Sequence, residues 1–475
     1  MSQFAGLEIG KRAILAQRLG LDATSNNIAN VNTPGYARQQ VVFTETDPRT
    51  LIGKGFIGTG VVVSQIRSFR EEYFDREIRG NISRNAGFTL DDRTLRRIET
   101  LLREPSDGGL DNSMQKFFSA FNDLSLKPED LGRRNLTLEA GQTLAEDFRT
   151  TAAAIQDLRK QTSERLAIGV GEANRILSDV AELNKQITAT KAQSLDTWTT
   201  LVNQRSQKLE ELAKFGGPLH VSIDNNGHAN VSMSGSSVVT GTTANRLQLN
   251  ETIDISGERT TTLDIVNQQG ATLVTIRPES GEFASSLKHL NITLDDKDTS
   301  GGFSIAKELN TMATTLISKV NSITSTGYGL DDVSAPNRNF FVGTSAASID
   351  LDASVKDKPR DIPVSSGAGL AGNNTIARQI VALADSSTFL SNQTPSEYYS
   401  NFLNKIADAG DDASTGIKVT ETVGDQLNAQ RESVIGVNLD EEAVNLIKYQ
   451  RAFEAAARVV NSTNEVLQTV INLGQ

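Results

Sequence analysis

Apolar residues at both ends of the chain recur three and four positions apart, the repeat of a single helical face. Near the start the stripe is Leu7, Gly10, Ile14, Gln17, Leu21, Thr24, Ile28 and Val31. The face is thin, because small or polar side chains separate the strong apolar ones. Asn32-Thr-Pro-Gly-Tyr36 ends the helix: Pro34 cannot continue it and Gly35 permits a tight turn. Near the finish, Leu439, Ala443, Leu446, Gln450, Phe453, Ala457, Val460, Asn464, Leu467 and Ile471 keep a 4-3 spacing with no Gly or Pro before Gly474. Gln450 and Asn464 are polar within that stripe, and a polar seam residue sets register at a cost in stability. Asn438 or Asp440 is placed to cap this helix, with Glu441 and Glu442 favourable in its first turn. Its length is roughly 50 Å at 1.5 Å per residue. A narrow seam needs a second helix to cover it. Two such seams at opposite ends predict that the termini pair with each other and with neighbouring subunits.

Between them the pattern changes twice. Proline is absent from Glu129 to Gly217 and from Ser396 onward, which marks long helical stretches. The first shows Leu144, Phe148, Thr151, Ile155 and Leu158, then a shifted set at Ala173, Leu177, Val180, Asn184 and Ile187. Gly169 and Gly171 lie at the shift and predict a break or bend. A third helix is predicted over 197–215, and Phe117, Phe118, Phe121 and Leu124 form a core face before it. From Gly216 to about Gly302, Ser, Thr, Asn and Gly increase and alternation replaces the helical period. His220 to Met233 reads as a hairpin turning at Asn225-Asn-Gly227, and a second turn falls at Asn267-Gln-Gln-Gly270. Helix returns at 303–323, near 374–384 and from Glu397.

The fold class expected is α+β multidomain. A terminal α-helical coiled-coil domain takes residues 1–60 and 430–475. A long-helix bundle domain takes 61–215 and 303–429, and one inserted β-rich domain takes 216–302.

Composition narrows function mainly by exclusion. The net charge of −11 argues against nucleic acid or an anionic membrane as the main partner. No apolar run is long enough to span a bilayer, so no membrane insertion is expected. Met1-Ser-Gln-Phe-Ala-Gly-Leu-Glu8 lacks the basic and apolar regions of a cleavable signal peptide. Without cysteine there is no disulfide, thiolate catalysis or Cys-ligated metal. Gly53-Lys-Gly-Phe-Ile-Gly58 matches G-x-G-x-x-G, but a strand-like Val61-Val-Val63 follows it where a dinucleotide site needs a helix. Asp296-Lys-Asp-Thr-Ser-Gly301 starts like a calcium loop, yet Lys307 stands where the closing Glu is required. The three histidines, His220, His228 and His289, form no metal motif, although His220 and His228 are placed to meet across the hairpin. No enzyme activity, cofactor or metal is expected.

One segment carries a family signature. Ser25-Asn-Asn-Ile-Ala-Asn-Val-Asn-Thr-Pro-Gly-Tyr36 resembles the N-terminal motif shared by bacterial flagellar rod, hook and hook-associated proteins. Gly58-Thr-Gly-Val-Val-Val-Ser-Gln-Ile-Arg67 resembles the segment that follows it there. Phe117-Phe-Ser-Ala-Phe-Asn-Asp-Leu124 with Pro128-Glu-Asp130, Gly327-Tyr-Gly-Leu-Asp-Asp332 before Phe340-Phe341, and Ser433 to Glu442 with Tyr449-Gln450 narrow the resemblance to the hook-associated branch at the hook–filament junction. Phe453 stands where relatives often have Tyr, and Gly329 where Asp is common. Larger relatives carry a further domain in the β insertion, and the span here is too short for it.

The resemblance implies a structural adaptor at the distal end of the hook. It implies export, unfolded, through the flagellar type III apparatus to the outside of the cell. The partners it implies are further copies of the chain in a helical ring, the hook protein, the second junction protein (hook-associated protein 3) and an export chaperone on the C-terminal helix. It also implies that the terminal helices order only on assembly. The assembly residues expected are Leu7, Ile14, Leu21, Asn26, Asn27, Ile28, Asn30, Asn32, Pro34, Gly35 and Tyr36 at one end. At the other they are Val437, Asn438, Leu439, Glu441, Glu442, Leu446, Tyr449, Gln450, Phe453, Val460 and Leu467. A hook or rod protein is the alternative within the class, and an exported adhesin using the β insertion the alternative outside it.

Overall fold

The computed structural model describes residues 3–473 except 34–35, 52–54, 69–71, 103–108, 191–194, 256 and 297–301. Pro34 and Gly35, two residues of the glycine-rich match and most of the calcium-like turn lie outside the described residues. The chain opens with α1 (Gln3–Ala29), β1 (Gln39–Glu45), β2 (Arg49–Leu51), β3 (Gly55–Ile57) and β4 (Val61–Ser68). Four long helices follow: α2 (Glu72–Leu102), α3 (Leu110–Leu126), α4 (Leu131–Thr190) and α5 (Leu195–Phe215). Seven strands come next: β5 (Leu219–Ile223), β6 (Ala229–Met233), β7 (Ser236–Thr240), β8 (Thr243–Ala244), β9 (Arg246–Ile253), β10 (Arg259–Val266) and β11 (Thr272–Ile276). Helix α6 (Glu282–Lys288) runs into a π-helical turn at His289–Thr293. The remainder is α7 (Ile305–Thr324), β12 (Phe341–Val342), β13 (Asp350–Leu351), α8 (Thr375–Ala384), α9 (Pro395–Ile435) and α10 (Leu439–Leu473).

Helix α4 is the spine. Its 60 residues run unbroken, so the bend expected at Gly169 and Gly171 does not form. A Cβ at Gly169 would make ordinary contact with the rings of Phe215 and Phe283, 3.4 Å away. The change of stripe along α4 records a change of neighbour. Leu144, Phe148 and Ile155 enter one core with α3, α7, α8 and the start of α9. Ala173, Leu177, Val180 and Ile176 enter a second core with α5 and the β segment.

In the first core, Phe117 packs on Phe121, Phe340 and Phe341 with ring centroids 5.1, 5.7 and 5.5 Å apart. Gly141 admits Phe340, whose ring would lie 2.7 Å from a Cβ there. Asn321 Oδ1 accepts from the amides of Phe340 and Phe341, both at 3.0 Å. Asp130 caps α4 by accepting from Gly132 N at 2.8 Å. Arg134, 1% exposed, donates to the carbonyls of Pro128 at 2.7 Å and Ile362 at 3.0 Å. Burial lowers its pKa to about 10. At Gly329 a Cβ would meet Arg360 O at 2.6 Å, so a side chain there would force the backbone apart.

In the β segment, β5-β6-β7-β8 form one antiparallel sheet and β11-β10-β9 another. Both expected turns occur, closed by Gly227 at φ +89° and Gly270 at φ +83°. The helix α6 and its π turn were not expected there. They are pinned by a polar cluster on α2, where Asp91 takes a hydrogen bond from Ser285 Oγ, lies 2.9 Å from His289 Nε2 and accepts from Lys288 Nζ at 3.2 Å. Burial raises the Asp91 pKa, but the hydrogen bond and charge of His289 outweigh it and hold the carboxyl at about 2. His220 and His228 do not meet. His220 faces Ser232, whereas His228 lies 2.8 Å from Asp224 Oδ2 and 2.9 Å from Thr188 Oγ1.

Candidate functional site: the paired termini

Helices α1 and α10 pack antiparallel in the single chain. Asn27 lies beside Glu442, Gly20 beside Tyr449, Gly10 beside Val460 and Gly6 beside Thr463. The register is regular: seven residues down α1, from 27 to 20, match seven residues up α10, from 442 to 449.

The middle of the seam on α1 is made of small residues. Gly10, Ala16, Gly20, Ala23 and Thr24 are buried, whereas Leu7, Ile14, Leu21 and Ile28 are half-buried along its margin. A Cβ at Gly20 would sit 3.0 Å from the Tyr449 ring, and one at Gly10 only 2.6 Å from Val460. The predicted stripe therefore meets the contact line at Gly10 and Thr24, and its large apolar members lie beside that line. Small residues let two backbones approach, and the large ones then close the sides. On α10 the expected residues Leu446, Phe453, Val460 and Leu467 are half-buried at seven-residue intervals in the seam. Their companions are Glu442, Tyr449, Ala456 and Thr463 rather than Leu439, Ala443, Gln450 and Asn464, which are exposed.

At the base of the pair the N-terminal motif shows its chemistry. Asn27 is 1% exposed and uses its full hydrogen-bonding capacity. Its Nδ2 donates to Gln39 O at 2.8 Å and to Glu442 Oε2 at 3.0 Å. Its Oδ1 accepts from Tyr36 Oη and from Gln39 N, both at 2.9 Å. Glu442, 2% exposed, also accepts from Arg38 Nε at 2.8 Å, and Arg38 reaches Glu441 at 2.9 Å. A carboxylate buried this deeply needs a partnered cation and a donor, and it has both. Tyr449 stands two turns further on, its ring 6.0 Å from Phe43. Burial, and then the negative charge of Glu442, push its phenol pKa up.

The remaining expected residues are local braces. Asn438 is exposed and caps α10, accepting from Asp440 N at 2.9 Å. Asn30 donates to Asn26 O at 2.9 Å. Asn32 is exposed and Val437 half-buried. Antiparallel β1 and β4 flank α1, and Val41 and Ile66 bury against Ala23. Sequence reasoning missed Arg38, Gln39, Gly6 and Gly20, while Gly10 lies in the predicted stripe. The signal for Arg38 was a glutamate, Glu442, on the contact side of a helix. A cleft of about 1030 Å³, lined by Tyr36, Arg38, Asp75, Arg431 and Gly436 among others, separates the pair from the helical body.

Among the described residues no group of His, Asp and Glu is placed to hold a metal, and no helix is long and apolar enough to cross a membrane. The chain thus has a long helical body and a pair of terminal helices whose ends are tied by a buried polar motif. Residues 7–36 match the "Flagella basal body rod protein" family and residues 433–473 the "Flagellar basal body rod FlgEFG protein C-terminal" family. Over half of the chain, residues 95–341, matches the "Flagellar hook-associated protein FlgK helical domain".

The chain belongs to the family of flagellar hook-associated protein 1, a structural component of the bacterial flagellum. The hook and rod alternative gives way to this assignment. The chain is 25% identical to flagellar hook-associated protein 1 of Bacillus subtilis, across 99% of this chain and 98% of that one. It is also 25% identical to the Salmonella typhimurium protein, across 96% and 98% respectively. In fold it is similar to the flagellar hook junction protein FlgK from Burkholderia pseudomallei, with a TM-score of 0.62 and 12% identity over 76% of this chain and all of that one.

Proposed function

We propose that this chain is the adaptor that joins the hook to the next junction protein, polymerising at the distal end of the hook through its paired terminal helices. The observation that carries the reading is the pair itself. It is closed by a buried polar motif on one side and bare on the other. Val444, Ile447, Val459 and Val466 of α10 and Leu15 and Leu19 of α1 are exposed apolar residues on the outer surface of the rod. A rod with apolar residues outside its own seam is suited to a neighbour that covers them. Identical copies then repeat one heterologous contact about a helical axis.

Further copies of the chain, the hook protein and a second junction protein are the partners in this reading. An export chaperone and the type III apparatus handle the chain before assembly, outside the cell envelope. Residues 1–60 with 430–475 act as the inner domain, 61–215 with 303–429 as the helical body, and 216–302 as the outward insertion. The likeness of both termini to basal body rod families supports the inner-domain role, because axial neighbours would share it. Cells expressing only a chain that stops before Leu439 should build hooks without attached filaments. Working filaments on those cells would contradict the proposal.

A further inference from the structure

The seam between α1 and α10 holds two kinds of contact that differ in how much they say about alignment. Along the seam α1 presents Gly6 to Thr463, Gly10 to Val460 and Gly20 to the Tyr449 ring. Sliding α10 by seven residues, roughly 10 Å at 1.5 Å per residue, sets Ala456 against Gly6 and Tyr449 against Ala13. The small Gly6 end accepts the slide, whereas Ala13 carries the Cβ for which the Tyr449 ring leaves no room at Gly20, so that one apolar contact resists it.

The polar end discriminates too. Glu442 finds Asn27 Nδ2 at 3.0 Å and Arg38 Nε at 2.8 Å in the observed alignment. After the slide its carboxylate would face Gly20, which offers no side-chain donor. A buried charge stripped of its partners is strongly disfavoured. Asn27 would at the same time lose one of its four hydrogen bonds.

We infer that Asn27, Arg38 and Glu442 form a register lock: with the Tyr449 ring on Gly20 they select one alignment of the two terminal helices, while the rest of the seam supplies adhesion. The alignment decides where the N-terminal segment through Arg38 and the Gly436–Asn438 link come together beneath the rod. It therefore sets how far the rod stands from the helical body. The inference rests on the helix pair alone and does not depend on the flagellar role.

The chain has no cysteine, so introduced thiols are the only ones. Gly6→Cys with Thr463→Cys reports the observed alignment, in which a Cβ at Gly6 lies 3.4 Å from the Thr463 side chain. Gly6→Cys with Ala456→Cys reports an α10 displaced by seven residues. In the otherwise native full chain the first pair should form a disulfide and the second should not. Adding Asn27→Leu and Glu442→Leu, which keep side-chain volume and remove polarity, should raise the displaced-to-native disulfide ratio at least tenfold while circular dichroism shows helicity retained. Glu442→Gln, which keeps shape and removes charge, should move the ratio the same way by less. An unchanged ratio in both backgrounds would overturn the lock. Loss of disulfides in both alignments would overturn it too, because the cluster would then hold the helices together rather than choose between alignments.

Discussion

At the scale of single residues, Asn27 does the most with the fewest atoms. Replacing it with Ala leaves Gln39 N and O without partners and removes a donor from Glu442, all in a buried place. At about 1–3 kcal/mol for each stranded buried group, less what water recovers, the terminal pair should lose roughly 2–4 kcal/mol. Differential amide exchange at α1 and α10, with α4 as the internal reference, reads that loss. Asp91 gives a pH signature elsewhere. Its folded pKa of about 2 lies below the unfolded value near 3.9, so its contribution is present above about pH 4 and disappears as pH falls through 2. The contribution is about 2 kcal/mol. Asp91→Asn should flatten the acid limb of stability between pH 4 and 2, as followed by urea midpoints, and an unchanged limb would count against the cluster. The Asn27 motif was legible in the sequence as a feature, but its bonds were not, because Arg38 and Glu442 are 404 positions apart. Only the folded chain brings those charges together.

At the scale of elements, glycines decide how closely helices approach, and they divide into two kinds. At Gly20 the Tyr449 ring leaves no room for a side chain. Gly20→Leu should therefore destabilise the α1–α10 pair by roughly 1–3 kcal/mol, and Tyr449→Ala in the same chain should recover part of it. At Gly169 a Cβ would make ordinary contacts with Phe215 and Phe283. Gly169→Ala should raise the thermal midpoint through helix propensity worth up to about 1 kcal/mol.

The sequence reading treated Gly169 as a bend because propensity alone places glycine at helix breaks. Packing on both sides of α4 overrides that local preference. The predicted α1 stripe meets the contact line at Gly10 and Thr24, whereas its large members Leu7, Ile14, Leu21 and Ile28 lie beside it, because hydrophobicity marks large residues and the contact line follows small ones. Long helices, both hairpin turns and the existence of paired ends were plain in the periodicity. The helix α6 was not, because seven residues in a Ser-rich stretch give too short a period to detect.

At the scale of the whole molecule, stability is unevenly distributed. The body has two cores wrapped around α4, while the terminal rod has one narrow seam and a bare outer surface. In dilute solution residues 5–30 should therefore exchange amide protons faster than residues 138–187 of α4. Equal protection in the two segments would mean that the rod needs no neighbour to be stable. That contrast fits an axial subunit whose body folds alone and whose ends are completed by the polymer.

The most direct measurement of the junction role is electron microscopy of cells deleted for this chain, with the culture medium assayed for filament protein. The expected result is hooks without filaments and filament protein lost to the medium. Normal filaments on those cells would contradict the junction role, and cells without hooks would move the protein down the axis to the rod or hook.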